Sequence, residues 1–320
     1  MRLITLVLVA MLSAAALAQS RVYRIAVLER ESAESSGPNF TALKQGFRDA
    51  GYIEGKNLAI DYRSADGNND RFPALCAQAV ATKVDLIVVR GTPPTIACKK
   101  ATTTIPIIFA GAGDPVGDGL VASLARPGGN VTGFSAATNQ LVAKRLEVLR
   151  DVKPKASQIS ALVNLGNPNV VSVNKLLESS SQKLGIRLKS FDVRTAADLK
   201  AAIEESAKLR VDAIYVPVDT LTEANRTLIA DLAIKHKLPT INSEPNYVDA
   251  GGFLSYGNDN LSAYRRVGAL AGKIFNGAKP GDIPVEQPST LFMVINLKTA
   301  KAIGITVPKE VAFRADRVVQ

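Results

Sequence analysis

VDLIVVRGTPPT (residues 84–95) runs from a β-branched stretch through a glycine into a double proline, and VDAIYVPVDTLT (residues 211–222) echoes it. A second echo follows each of these: TIPIIFAGAGDP at 104–115 and LPTINSEPNY at 238–247. Outward from the first copy, the pattern predicts strands at 22–28, 57–65, 84–89 and 104–109, with helices at 40–51, 71–82 and 94–101 between them. Outward from the second, it predicts a helix at 141–152, then strands at 158–165, 186–193, 211–218 and 238–241, with helices at 170–184, 196–209 and 223–235. Strands that alternate with helices of this length build right-handed βαβ units and a parallel sheet. The fold class is therefore α/β, as two similar halves joined near Gly133 to Asn139, each with its own parallel sheet. Residues from about 253 onward must cross back to complete both.

The N-terminus opens with one cation, Arg2, then an apolar run, then Ala16-Leu17-Ala18 before Gln19. That order predicts a cleavable secretory signal over residues 1–18, shorter than the roughly 20 residues of a membrane-spanning helix. No cysteine follows the cleavage site, which excludes a lipoprotein anchor and predicts a protein of the periplasm. The remaining chain of about 300 residues suits two domains better than one core. The net charge of +10 is spread among acids along the helices, so it predicts a solvated surface and no nucleic-acid partner. The two cysteines, Cys76 and Cys98, fit no zinc or redox spacing. They sit in helices flanking one strand, where pairing as a disulfide and separate burial as small apolar groups are both open.

In open parallel sheets, ligands gather outside the carboxyl ends of the strands. The loops to consider are 28–32, 91–95, 110–115, 164–167, 217–220 and 242–246, which supply Glu31, Gly91, Thr92, Asp114, Asn164, Asp219, Thr220 and Glu244 as candidate ligand-binding residues. IPIIFAGAGDPVGDGL, 105–120, has the outline of a nucleotide loop, a strand and a glycine turn entering a helix. Its glycines at 111, 113 and 117 miss the G-x-G-x-x-G spacing, and Asp114 puts a carboxylate where phosphates would lie. It suits a cationic or zwitterionic ligand better, or else Asp114 caps the next helix. Gly91 and Thr92 open a proline-led helix whose positive end favours a carboxylate. Asp219 and Thr220, at the equivalent place in the second half, either cap a helix or accept an ammonium. On this reading Asp219→Ala and Asp114→Ala each weaken binding and leave melting of the empty protein almost unchanged.

Catalysis has little to stand on. The single histidine, His236, ends a predicted helix, no G-x-S-x-G occurs, and no cluster of metal-ligand type is present. Asp114 with Glu244 is the one carboxylate pair to consider. The sequence thus predicts no enzyme, no cofactor and no metal.

The runs FTALKQGFRDAGYIEGKNLAIDYRSADGNNDRFPALCAQAV, DPVGDGLVASLARPGGNVTGFS, KRLEVLRDVKP, GGFLSYGND and INLKTAKAIGITVP resemble the ABC-transporter substrate-binding proteins of the tryptophan/tyrosine-binding type. The resemblance spans nearly all of the chain after the signal. It implies a type I periplasmic-binding-protein fold: two Rossmann-like lobes joined by a multi-strand hinge, residues 19–135 with about 250–285 forming lobe 1 and residues 136–249 with about 286–320 forming lobe 2. The implied role is capture of a small, amino-acid-like ligand, often aromatic, by closure of the interlobe cleft, for a membrane permease of an ABC importer with a separate ATPase. The alternatives are a sensing module that presents its closed form to a receptor, and an enzyme acting in the same cleft. The hinge is expected near 133–138 and 250–252, and the protein as a monomer. The matching cleft positions are Gly91-Thr92, Asp114, Phe134-Ser135, Asp219 and Tyr256. The chain departs from the family in its charged first loop (Glu29, Arg30, Glu31, Glu34), in Thr220 where relatives often carry asparagine, and in Arg90 with the double proline 93–94.

Overall fold

The computed structural model describes residues 21–320; the predicted signal peptide lies outside them. Strands β1 (Tyr23–Glu29), β2 (Leu58–Ser64), β3 (Leu86–Val89), β4 (Ile107–Ala112) and β5 (Val131–Ser135) form one parallel sheet in the order β2-β1-β3-β4-β5. Every residue of β3, LIVV, is buried, as a central strand covered on both faces requires. One face is covered by α1 (Gly37–Asp49), the other by α2 (Phe72–Ala81) and α3 (Thr92–Ala101).

The second sheet has seven strands. It contains β6 (Gln158–Val163), β7 (Arg187–Asp192), β8 (Ala213–Tyr215), β9 (Thr240–Asn242), β10 (Leu254–Asn258), β11 (Leu291–Asn296) and β12 (Arg317–Val319), ordered β12-β11-β10-β9-β8-β6-β7. Only the β10–β11 pair is antiparallel. Its helices are α4 (Val142–Val152), α5 (Pro168–Lys183), α6 (Ala196–Lys208), α7 (Thr220–Ala224), α8 (Arg226–Lys235) and α9 (Pro245–Asp249). α10 (Asn260–Phe275) returns to the first lobe, and α11 (Leu297–Ile303) and α12 (Lys309–Phe313) finish the second.

Two sequence expectations differ from this arrangement. Residues 254–258, expected in lobe 1, form β10 of the second sheet, because Leu254 and Ser255 are buried and pair in parallel with Ile241 and Asn242. The chain therefore crosses after Ser135, at Asn258–Asn260, and between Glu286 and Leu291, and not at 250–252. The helix expected after Asp114 is absent. Successive turns run from Asp114 to Leu120, and the positive φ of Gly119 (69°) stops any continuation.

α10 docks on α1 through two glycines. A Cβ on Gly268 would stand 2.1 Å from the Gly46 backbone, so only glycine permits this approach. Thr132 donates to the Ile283 carbonyl (2.7 Å), and Phe134 bridges to Glu286, which ties the returning segment to the edge of the first sheet. Cys76 on α2 and Cys98 on α3 are bonded, sulfur to sulfur at 2.03 Å, and both are buried. The open choice at these cysteines resolves in favour of the bridge, which closes a loop of 22 residues and stabilises the first lobe by about 3 kcal/mol on the loop-entropy scale.

Candidate functional site

The two sheets point the carboxyl ends of β1, β3 and β4 toward those of β6, β8 and β9. Between them lies a cavity of about 30 Å³, lined from the first lobe by Arg30, Gly91, Thr92, Pro93, Gly111 and Gly113, from the crossing by Ala136 and Thr138, and from the second lobe by Asn167, Asn169, Val218, Asp219, Thr220 and Glu244. That volume holds only a few water-sized spheres. The lobes touch directly around it: Asn69 donates to Asp219 (3.2 Å), Arg90 to Glu244 (2.5 Å) and Arg226 to Glu31 (2.5 Å). The cleft is closed in this structure.

Gly91 ends β3 with φ 94°, which lets the chain turn into α3. Thr92 donates its hydroxyl to Asp118 (2.9 Å) and Thr95 donates to the Gly91 carbonyl (2.7 Å), so both hydroxyls are committed within the protein. In the second lobe Asp219 caps α7 in a reciprocal box with Thr222. Its carboxylate accepts from Asn164 (2.8 Å), Asn167 (2.8 Å), Leu221 N (3.0 Å) and Asn69 (3.2 Å). A carboxylate has about four acceptor sites, so this one is filled. The choice between helix cap and ammonium acceptor thus goes to the cap, and Asp219 reaches a ligand chiefly through its charge. The neighbouring Thr220 lines the cavity, and its hydroxyl has no partner among the described residues; the buried Oδ1 of Asn69, outside the lining, has none either.

Behind this rim lies a buried ionic layer. Arg90 is 3% exposed and stands over the Tyr264 ring at 5.5 Å; Glu244, on the turn into α9, receives its guanidinium. Burial alone would raise the Glu244 carboxyl, but Arg90 and Arg30 together hold it below its ordinary value. Glu223 lies beside it, and burial with the Glu244 charge pushes its carboxyl up to about 8. Tyr264 donates to Glu29, whose carboxyl burial also raises.

The candidates from sequence are thus divided by the structure. Gly91, Thr92, Asp219, Thr220 and Glu244 line the cavity; Asp114 does not, its carboxylate accepting from Gly117 N (2.9 Å) and Asn139 (3.3 Å) outside the lining. Asn164 stands one layer back, holding Asp219. Glu31 pairs with Arg226 across the lobes. Phe134 and Ser135 are at the crossing: Ser135 accepts from Ala137 N (3.1 Å), and Phe134 faces a separate hinge-side groove with Arg266 and Pro288. Tyr256 packs against the core of the second lobe, while its carbonyl receives Arg145 Nε (2.7 Å). Arg145, 1% exposed, also donates to the Thr138 carbonyl (3.1 Å), so it fastens the first crossing to β10. Strand-end position places these residues near the cleft but leaves their side-chain directions open. The residues that sequence reasoning left out of the site are Arg30, Arg90, Glu223, Asn69, Asn167 and Asn169. Arg90 does carry a signal, since an arginine directly after four buried aliphatics must find a buried partner.

Among the described residues, no group of three or more His, Cys, Asp or Glu side chains is placed to hold a metal, and no helix is long and apolar enough to cross a membrane.

Two α/β lobes, three crossings and a polar cavity between opposed strand ends define a two-lobed solute-binding protein. The family model described as ABC transporter substrate binding protein matches residues 24–319, and the chain belongs to that family. It is similar to the tyrosine-binding protein of Clostridioides difficile (strain R20291), 32% identical over 272 residues, which are 84% of this chain and 78% of that one. Its fold is similar to that of an ABC domain from Streptococcus pneumonia solved in complex with L-Trp: TM-score 0.85, 28% identity, 93% of this chain and 100% of that one. Against the ligand-free, open structure of a substrate binding protein from Clostridium difficile the TM-score is 0.65 at 25% identity, over 93% and 99% of the two chains. The lower value against an open form accords with the interlobe contacts seen here.

Proposed function

We propose that this substrate-binding protein captures a small amino-acid-like ligand between its lobes and delivers it, unchanged, to the permease of an ABC importer. The observation that carries the reading is the cavity itself. A helix N-terminus at Gly91–Thr92 faces the Asp219 carboxylate across it, so a ligand's carboxylate and ammonium meet opposite electrostatic ends. The names of the relatives, one tyrosine-binding and one solved with L-Trp, support the same ligand class. Contacts from both lobes make closure depend on the ligand, with motion at the crossings near 135–139, 258–260 and 286–291. The signal-like N-terminus and the bonded cysteines support work outside the cytoplasm, in the periplasm.

A thermal-shift panel on protein refolded to remove carried ligand tests this. At a hundredfold excess over Kd a ligand that binds only the folded state adds about 2.7 kcal/mol, which moves the melting temperature by several degrees. At least one amino acid must do so and be recovered intact by mass spectrometry. Stabilisation only by sugars or nucleosides, or recovery of a changed molecule, would contradict the reading.

A further inference from the structure

The ionic layer behind the cavity runs across the lobe boundary. The first lobe supplies Glu29, Arg30, Glu31 and Arg90, and the second supplies Glu223, Arg226 and Glu244. Four carboxyls thus meet three guanidinia. Arg90 and Arg30 both face Glu244, at 2.5 and 3.6 Å, and Arg226 holds Glu31 at 2.5 Å. Glu29 accepts from the Tyr264 hydroxyl.

Glu223 is the acid left over. It is 1% exposed, and its Oε2 accepts from Asn246 Nδ2 (3.0 Å), while its Oε1 and the Oδ1 of that same amide have no partner among the described residues. The groups that face it are Glu244 and Tyr247 from its own lobe and Arg30, Glu31 and Arg90 from the other. Arg226 donates to the Glu223 backbone carbonyl (2.9 Å) and spends its charge on Glu31. A second buried carboxylate beside Glu244, with no cation of its own and one oxygen lacking a donor, is costly. One proton removes the excess charge and turns an acceptor into a donor, and the Glu244 carboxylate stands within hydrogen-bond reach to receive it.

We infer that Glu223 and Glu244 share one proton when the lobes meet, so that closure on a ligand takes up a proton from solution. This rests on the capture reading above, and it needs only that a ligand closes the cleft, whatever its class. The lobe boundary covers α7, which carries Glu223: a Cβ added to Gly67 of the first lobe would stand 2.8 Å from that of Ala224. Separating the lobes opens the layer to water, which favours the charged carboxylate. Closure removes that water, and burial with the Glu244 charge then raises the Glu223 carboxyl to about 8. The sign follows from a value raised in the closed form. The proton's contribution to closure is complete at low pH and is lost as pH rises through about 8.

The test is calorimetric titration of the refolded full chain at pH 7 and pH 8, in buffers of different ionisation enthalpy, which counts the protons taken up per ligand bound. The probes are L-tyrosine and L-tryptophan, with D-ribose and adenosine as ligands of other chemistry. Wild type is expected to take up about one proton per ligand at pH 7 and about half at pH 8, and Glu223→Gln none. If Glu223→Gln does not fold, infrared spectra of the liganded wild type decide. A protonated-carboxyl band present at pH 7 must fade as the pH passes about 8, and its absence at pH 7 overturns the inference. Uptake that persists unchanged in Glu223→Gln overturns it too. Binding of an amino acid without proton uptake leaves the amino-acid reading intact and overturns the shared proton. Uptake with ribose or adenosine alone upholds the shared proton and overturns the amino-acid reading.

Discussion

Arg90→Met lowers ligand affinity by at least about a hundredfold while the empty protein melts almost as before. Arg90 belongs to the first lobe and Glu244 to the second, so their 2.5 Å contact exists only when the lobes meet. Both are more than nine-tenths buried there. Removing one member of such a pair costs about 3–5 kcal/mol, because the other charge stays desolvated and unmatched. At 1.4 kcal/mol per tenfold, that is a loss of two to three orders of magnitude in binding coupled to closure. That interlobe contact is absent from the open form of the wild type as well, so its loss costs the empty protein little. Adding Glu244→Met to Arg90→Met removes the stranded carboxylate and recovers part of the loss, though Arg30 then lacks its remaining counter-ion. A double variant no better than the single, measured by titration of the same ligand, would show that the pair does not couple to closure.

Asp219→Ala has the opposite profile from the one its place at a strand end suggests: it destabilises the empty protein. The carboxylate is 2% exposed and caps α7, and loss of such a cap costs about 1 kcal/mol. The amides of Asn164 and Asn167, both buried in the same lobe, then lose their acceptor, at about 1–3 kcal/mol each. The total, about 3 kcal/mol or more, lowers the melting temperature of the second lobe by several degrees in calorimetry without ligand. Affinity falls as well, since Asn69 loses its partner across the cleft. Unchanged melting with weakened binding would restore Asp219 to a direct ammonium contact.

The contrast between these two residues shows what the sequence makes legible. The alternation of runs such as LIVV and IIFA with helical segments exposes two parallel sheets, because a central strand buried on both faces must be continuously apolar. The end of the chain is less legible. FLSYGN reads as a strand, but nothing in its own letters assigns it to either sheet; the open edge beside Ile241 and Asn242 decides that. At the site, strand ends bring Gly91, Thr92, Asp219, Thr220 and Glu244 to the cavity wall. They do not show that Asp219 is saturated, because three of its four donors come from Asn69, Asn164 and Asn167, far away in sequence. Nor do they orient Phe134, Ser135 and Tyr256, whose directions follow from how the crossings pack. The charged loop at Glu29–Glu31 and Arg90 stand out as letters, but their pairing with Glu244 and Arg226 spans about 150 residues or more and needs the fold.

The central claim is that a small ligand, held from both lobes, closes this cleft. Small-angle scattering of the refolded protein, titrated with the amino acid that stabilises it most, tests that directly. The account predicts that the radius of gyration falls with the bound fraction, half-way at the midpoint of binding, and levels off when the sites are full. An empty protein already as compact as the liganded one, with a radius that does not change through the titration, would contradict it.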